Sequence, residues 1–162
     1  MKRFSRSSLF PDVNVWLALT YEGHIHHSVA HSWLSEVGPD SRLFFCRVTQ
    51  LSLLRLLTTV AVMCKEEVLN QQKAWRVYDG WIKDQRIALM QEPAGLDGTF
   101  RRLSRSLQPS PKDWADSYLA AFALSAELTL VTFDRALHRR VKRSIFLSTE
   151  STKPTSSSQQ PD

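Results

Sequence analysis

Along the chain, short apolar runs alternate with longer stretches in which apolar residues recur every three or four positions. Short runs bounded by turn-forming residues read as buried strands, and the longer periodic stretches read as helices. Ser8-Leu9-Phe10-Pro11-Asp12-Val13 is the first such run and predicts a strand ending near Asp12. Ile25, Val29, Trp33, Leu34 and Val37 recur at helical spacing and predict a helix over 25–37. Leu43-Phe44-Phe45-Cys46 predicts a second strand, after which Thr49 can cap a helix running to about Val60. A helix is expected over 66–83, a strand over 86–90 and another helix over 96–107. Pro109 and Pro111 break the chain before Asp113, a natural N-cap for a helix to Glu127. Leu128-Thr129-Leu130-Val131-Thr132-Phe133 carries the strongest strand signal and ends at Asp134. A short helix to Arg140 and a strand over 144–147 complete a pattern that signals a parallel sheet flanked by helices.

Residues 148–162 contain no aliphatic or aromatic side chain and are rich in Ser, Thr, Gln and Pro. With nothing to bury, they are expected to form a disordered tail behind a folded unit over 1–147. The whole chain has 162 residues, 43% of them apolar and 23% charged, which suits one soluble domain and excludes a collagen or a disulfide scaffold. The longest uninterrupted aliphatic and aromatic run covers 118–124, far short of the ~20 residues a membrane helix needs. Lys2, Arg3 and Arg6 resemble the start of a signal peptide, but Pro11, Asp12 and Asn14 interrupt the apolar segment that should follow. The expected location is cytoplasmic. Cys46 and Cys64 form no CxxC pair and read as buried small hydrophobes.

The net charge of +5 is concentrated in two basic segments, Arg101, Arg102 and Arg105, then Arg139, Arg140, Lys142 and Arg143. Such clusters point to a polyanionic partner. The acidic residues are placed more selectively. Asp12 and Asp134 stand at the carboxyl ends of predicted strands, where open α/β sheets bind their ligands. Asp113 and Asp116 fall in the first turn of the helix that leads into the strand before Asp134. Right-handed crossovers could bring these loops to one edge of the sheet. Two carboxylates ~4 Å apart repel by roughly 4 kcal/mol at an effective dielectric of ~20, so such a cluster must take up a proton or a cation. Hard oxygen donors in a partly hydrated pocket suit Mg²⁺ or Mn²⁺.

Three of these segments carry a resemblance. Asp12-Val13-Asn14-Val15-Trp16-Leu17, Asp116-Ser117-Tyr118-Leu119-Ala120-Ala121 and Val131-Thr132-Phe133-Asp134 resemble, in order, three acidic motifs of PIN-domain ribonucleases. Val48-Thr49-Gln50-Leu51-Ser52-Leu53-Leu54-Arg55-Leu56-Leu57 and His24-Ile25-His26-His27 are similar to segments of a VapC-type toxin subfamily. The resemblance spans about residues 9–147. It implies a three-layer α/β/α sandwich around a central parallel sheet of four to five strands. The activity it implies is cleavage of single-stranded RNA with Mg²⁺ or Mn²⁺ held by Asp12, Asp116 and Asp134. Asn14 and Thr132 would orient a ligand or phosphate, Arg101, Arg102, Arg139 and Arg140 would steer RNA, a cognate antitoxin would neutralise the toxin, and a homodimer is expected.

One departure stands out. Many PIN domains carry a glutamate on the helix after the second strand, where this chain has Ser52. Thr49, Ser52, Arg55 and Thr59 form a polar stripe on that helix, from which Arg55 could pair with the carboxylates or touch a phosphate. A PIN-fold module that binds RNA or antitoxin but cleaves poorly is therefore a second reading. His27 and His31 are spaced as a helical zinc pair, but no glutamate follows His27 and no third ligand is evident, so they read as exposed helix histidines. The five tryptophans read mainly as core or interface, with a base-stacking role open to one of them. No phosphate-cradling glycine loop is present, and Asp12-Val13-Asn14 lacks the Asp-x-Asp of haloacid-dehalogenase phosphatases.

Overall fold

The computed structural model describes residues 7–148. Five strands, β1 (Ser8–Pro11), β2 (Arg42–Phe45), β3 (Ile87–Leu89), β4 (Thr129–Thr132) and β5 (Ser144–Phe146), form one sheet in the order β3-β2-β1-β4-β5. Every neighbouring pair is parallel. Alternation along each strand sends side chains to two separate cores. Leu9, Leu43, Phe45 and Val131 face one layer, whereas Phe10 and Leu130 face the other. The first layer contains α1 (Val13–Thr20), α2 (His27–Glu36), α3 (Arg47–Leu57), α4 (Val60–Glu67) and α5 (Gln71–Ile82). The second contains α6 (Leu96–Leu103), α7 (Asp113–Ser125) and α8 (Arg135–Arg140). The three-layer α/β/α sandwich expected from the resemblance is the observed architecture.

The structure adds two helices, α1 and α4, and moves several boundaries. α1 follows β1 with only Asp12 between them. It escapes a periodicity reading because Val15 to Leu19 are all buried, leaving no polar face. The helix expected over 66–83 begins only at Gln71, as α5, because Asn70 caps it by accepting the Lys73 amide at 2.9 Å, and α4 occupies the segment before it. Cys46, not Thr49, caps α3: its thiol accepts from the Thr49 amide while the Thr49 hydroxyl accepts from the Cys46 amide at 3.0 Å. Lys112 flanks α7, and Asp113 is its first helical residue. Helix α6 stops at Leu103. Cys46 is buried as expected but Cys64 is exposed, at a kink in α4 where its backbone adopts φ 60°. Of the segment read as a disordered tail, all but Ser148 lies outside the described residues. Among the described residues, no single helix is long and apolar enough to cross a membrane.

Candidate active site

The strand order places β1 and β4 side by side at the centre of the sheet, where the winding changes direction. Ligand crevices of parallel α/β sheets open beyond the carboxyl ends of such a strand pair. Asp12 closes β1 there, and its amide continues the ladder by donating to the Val131 carbonyl at 2.9 Å. Its side chain is 4% exposed. The Thr132 hydroxyl, at the end of β4, donates to Asp12 Oδ2 at 3.1 Å and accepts from the Asp134 amide at 2.9 Å. One buried hydroxyl thus ties the two strand ends together and orients Asp12.

Burial pushes the Asp12 carboxyl up to about 6, with the negative charge of Asp116 adding to the effect and the Thr132 hydrogen bond opposing it. Asp116, on the first turn of α7, is also held above the ordinary carboxylate range by burial. Lys112 and Arg140 pull it down, while Asp134 and Asp113 push it up. No basic side chain offsets Asp12. Asp12 and the half-buried Asp116 are thus hard oxygen donors both held above their ordinary range, and this donor set fits Mg²⁺ or Mn²⁺.

Asp134 is engaged differently. Its Oδ1 accepts the Ala136 and Leu137 amides at 2.7 and 3.1 Å, capping α8, and its Oδ2 pairs with Lys112 Nζ at 3.3 Å. These amides and the lysine hold the carboxyl below its ordinary range. Among the described residues, no three acidic, imidazole or thiol groups converge tightly enough to enclose an ion. Lys112 is the functional candidate the sequence reading missed, because its partner lies 22 residues away. An isolated lysine before a helix carries no sequence signal.

The remaining candidates fall into three groups. Asn14 is exposed on the first turn of α1, beside Asp12. Arg140 is anchored: Nη1 lies 3.6 Å from Asp113 Oδ1, and Nη2 donates to Ser117 Oγ at 2.7 Å and to the Leu103 carbonyl at 3.3 Å. Arg101 pairs with Asp97 at 2.8 Å on the surface of α6, and Arg102 and Arg139 are exposed. On α3, Thr49 is buried, Ser52 half-buried and Arg55 exposed, and neither Ser52 nor Arg55 bonds to the carboxylates. His27 Nδ1 and His31 Nε2 bond the Ala18 and Leu19 carbonyls at 2.8 and 2.9 Å, which ties α2 to α1 rather than building a zinc site.

The chain belongs to the PIN domain family, which matches residues 9–143. At closer range, the chain is 44% identical over 131 residues to Ribonuclease VapC41 of Mycobacterium tuberculosis, covering 79% of this chain and 90% of that protein. Two solved structures share the fold. VapBC-1 from nontypeable Haemophilus influenzae superposes with a TM-score of 0.61 at 15% identity, covering 86% of this chain and 97% of that one. Mycobacterium tuberculosis VapC20, a sarcin-ricin loop cleaving toxin, gives 0.58 at 15% identity, covering 80% and 92%.

Proposed function

We propose that the protein is a metal-dependent endoribonuclease that cuts single-stranded RNA and acts as the toxin of a toxin-antitoxin pair. The observation that carries this reading is the buried Asp12 carboxylate, pushed up to about 6 beside Asp116 with no basic group to offset it. The names of its relatives, a VapC ribonuclease and a VapBC assembly, support the same activity and the same kind of partner. Asp12 and Asp116 would hold a Mg²⁺ or Mn²⁺ ion, with Asp134 joining them when its Oδ2 leaves Lys112. Bound there, the ion supplies activation of water and neutralisation of charge developing on the phosphate.

The chain's own residues do the rest. Thr132 orients the Asp12 carboxylate through its hydroxyl hydrogen bond. Lys112 and Asn14, both at helix starts on its rim, are placed to contact a phosphate. Arg101, Arg102 and Arg139 draw the RNA in through long-range attraction, whereas Arg140 is chiefly a strut that fixes Asp113 and Ser117. The exposed apolar side chains Leu51, Val60 and Trp75 on the α3–α5 layer are surface that an antitoxin or a second copy of the chain would cover. On this reading the chain acts in the cytoplasm, where such an RNA and such a partner are found together.

A weaker-cleaving module remains the second reading, favoured by Ser52 at the glutamate position and by the engagement of Asp134 with Lys112. Incubation with total RNA in Mg²⁺ or in chelator, followed by mapping of the cut ends, separates the two. Defined cuts that appear only with Mg²⁺ and vanish in Asp116→Asn are expected. RNA that stays intact while still being bound would favour the second reading.

A further inference from the structure

An exposed tryptophan beside free arginines has no role in the site described above. Trp114, on the first turn of α7, is 61% exposed, although tryptophan is ordinarily well buried. Its ring stands edge-on to Phe100 of α6, with centroids 6.1 Å apart and planes at 67°. Phe100 is braced in turn by Tyr118 at 5.7 Å and 80°. The tryptophan is thus supported from below and open above. It forms one wall of an open depression of about 490 Å³ that also contains Arg101 and Arg105. The one acidic residue there, Asp97, is already paired with Arg101. Arg102 and Arg105 are exposed and enter no ion pair among the described residues.

We propose that Trp114 is a stacking subsite for an unpaired nucleobase of a single-stranded RNA, with Arg105 and Arg102 contacting the flanking phosphates. The inference rests on the nuclease reading and deepens it by naming where the strand lies. Aromatic faces bind any base by stacking, and interleaved cations track the backbone. An apolar protein segment would gain little from the arginines, whereas a polyanion gains from each. Trp114 lies between Asp113 and Asp116 on one helical turn, so the subsite and the carboxylates are separated by roughly 10 Å, about the width of a helix. A base about one or two nucleotides from the scissile bond would reach it. Bases already paired in a duplex could not.

Binding of a labelled, uncleavable 2′-O-methyl single strand and of its duplex, measured by anisotropy in chelator, tests the subsite. Trp114→Ala should weaken single-strand binding roughly tenfold or more, Trp114→Phe should retain most of it, and duplex binding should be unaffected by either. The strand should also quench wild-type tryptophan fluorescence more than that of the well-folded Trp114→Phe protein. Unchanged single-strand affinity in Trp114→Ala, or equal loss for single strand and duplex, would overturn the subsite alone. Wild-type protein that neither binds nor cuts any RNA would instead overturn the nuclease reading beneath it.

Discussion

At the residue scale, the site turns on the cost of keeping Asp12 charged. Its carboxyl sits at about 6 in the fold, against ~3.9 in an unfolded chain. Between those values the folded state keeps the proton and the unfolded state releases it, so this residue's contribution to stability is present below about pH 4 and is lost as pH rises through 6. Asp12→Asn removes the charge, and Thr132 can still donate to the amide oxygen. In chelator at pH 7.5, Asp12→Asn should be more stable than wild type by about 2–3 kcal/mol, and the gap should close near pH 4. Thermal melts of both proteins across that range check it. A variant less stable than wild type at pH 7.5 would mean that Asp12 is not desolvated. Asp12, Thr132 and Asp134 are legible in the sequence because each interrupts or ends an apolar run with a polar group. Lys112 is not, because its role depends on a strand end brought close only by the fold.

At the scale of elements, strands and amphipathic helices are legible where one face differs from the other. The five strands are anticipated to within a residue or two, whereas α1, whose residues 15–19 are all buried, is not. Boundaries fail where caps are unusual. Helix α7 ends in a Schellman turn: the Leu128 amide donates to the Ala123 carbonyl at 2.8 Å and the Glu127 amide to the Leu124 carbonyl at 3.3 Å. The turn holds Glu127 in the left-handed region at φ 55°, where glycine is preferred, and delivers buried Leu128 to the start of β4. Glu127→Gly should therefore stabilise the protein by about 0.5–1 kcal/mol, raising Tm by about 1–4 °C, with RNA cleavage unchanged. A lowered Tm would show that the glutamate side chain makes a contact worth more than the backbone strain.

For the whole molecule, the parallel sheet and its two helical layers set where chemistry can occur, and the charge distribution sets what can approach. The strand order puts Asp12 and Asp134 side by side at one edge, and α7 brings Asp116 over them with its basic flank Lys112. A net charge of +5 favours the approach of a polyanion, and the proposed divalent cation would offset the negative charge of the carboxylates that the polyanion has to meet. Family membership could be inferred from three acidic motifs in the sequence. In the fold, Asp12 and Asp116 are the strained pair, while Asp134 is stabilised by α8 and Lys112. Calorimetric titration of the intact protein with Mn²⁺ at pH 7.5 tests this account most directly. Wild type should bind the ion, and Asp12→Asn and Asp116→Asn should each lose that binding while remaining folded. Equal Mn²⁺ affinity in wild type and Asp12→Asn would contradict it.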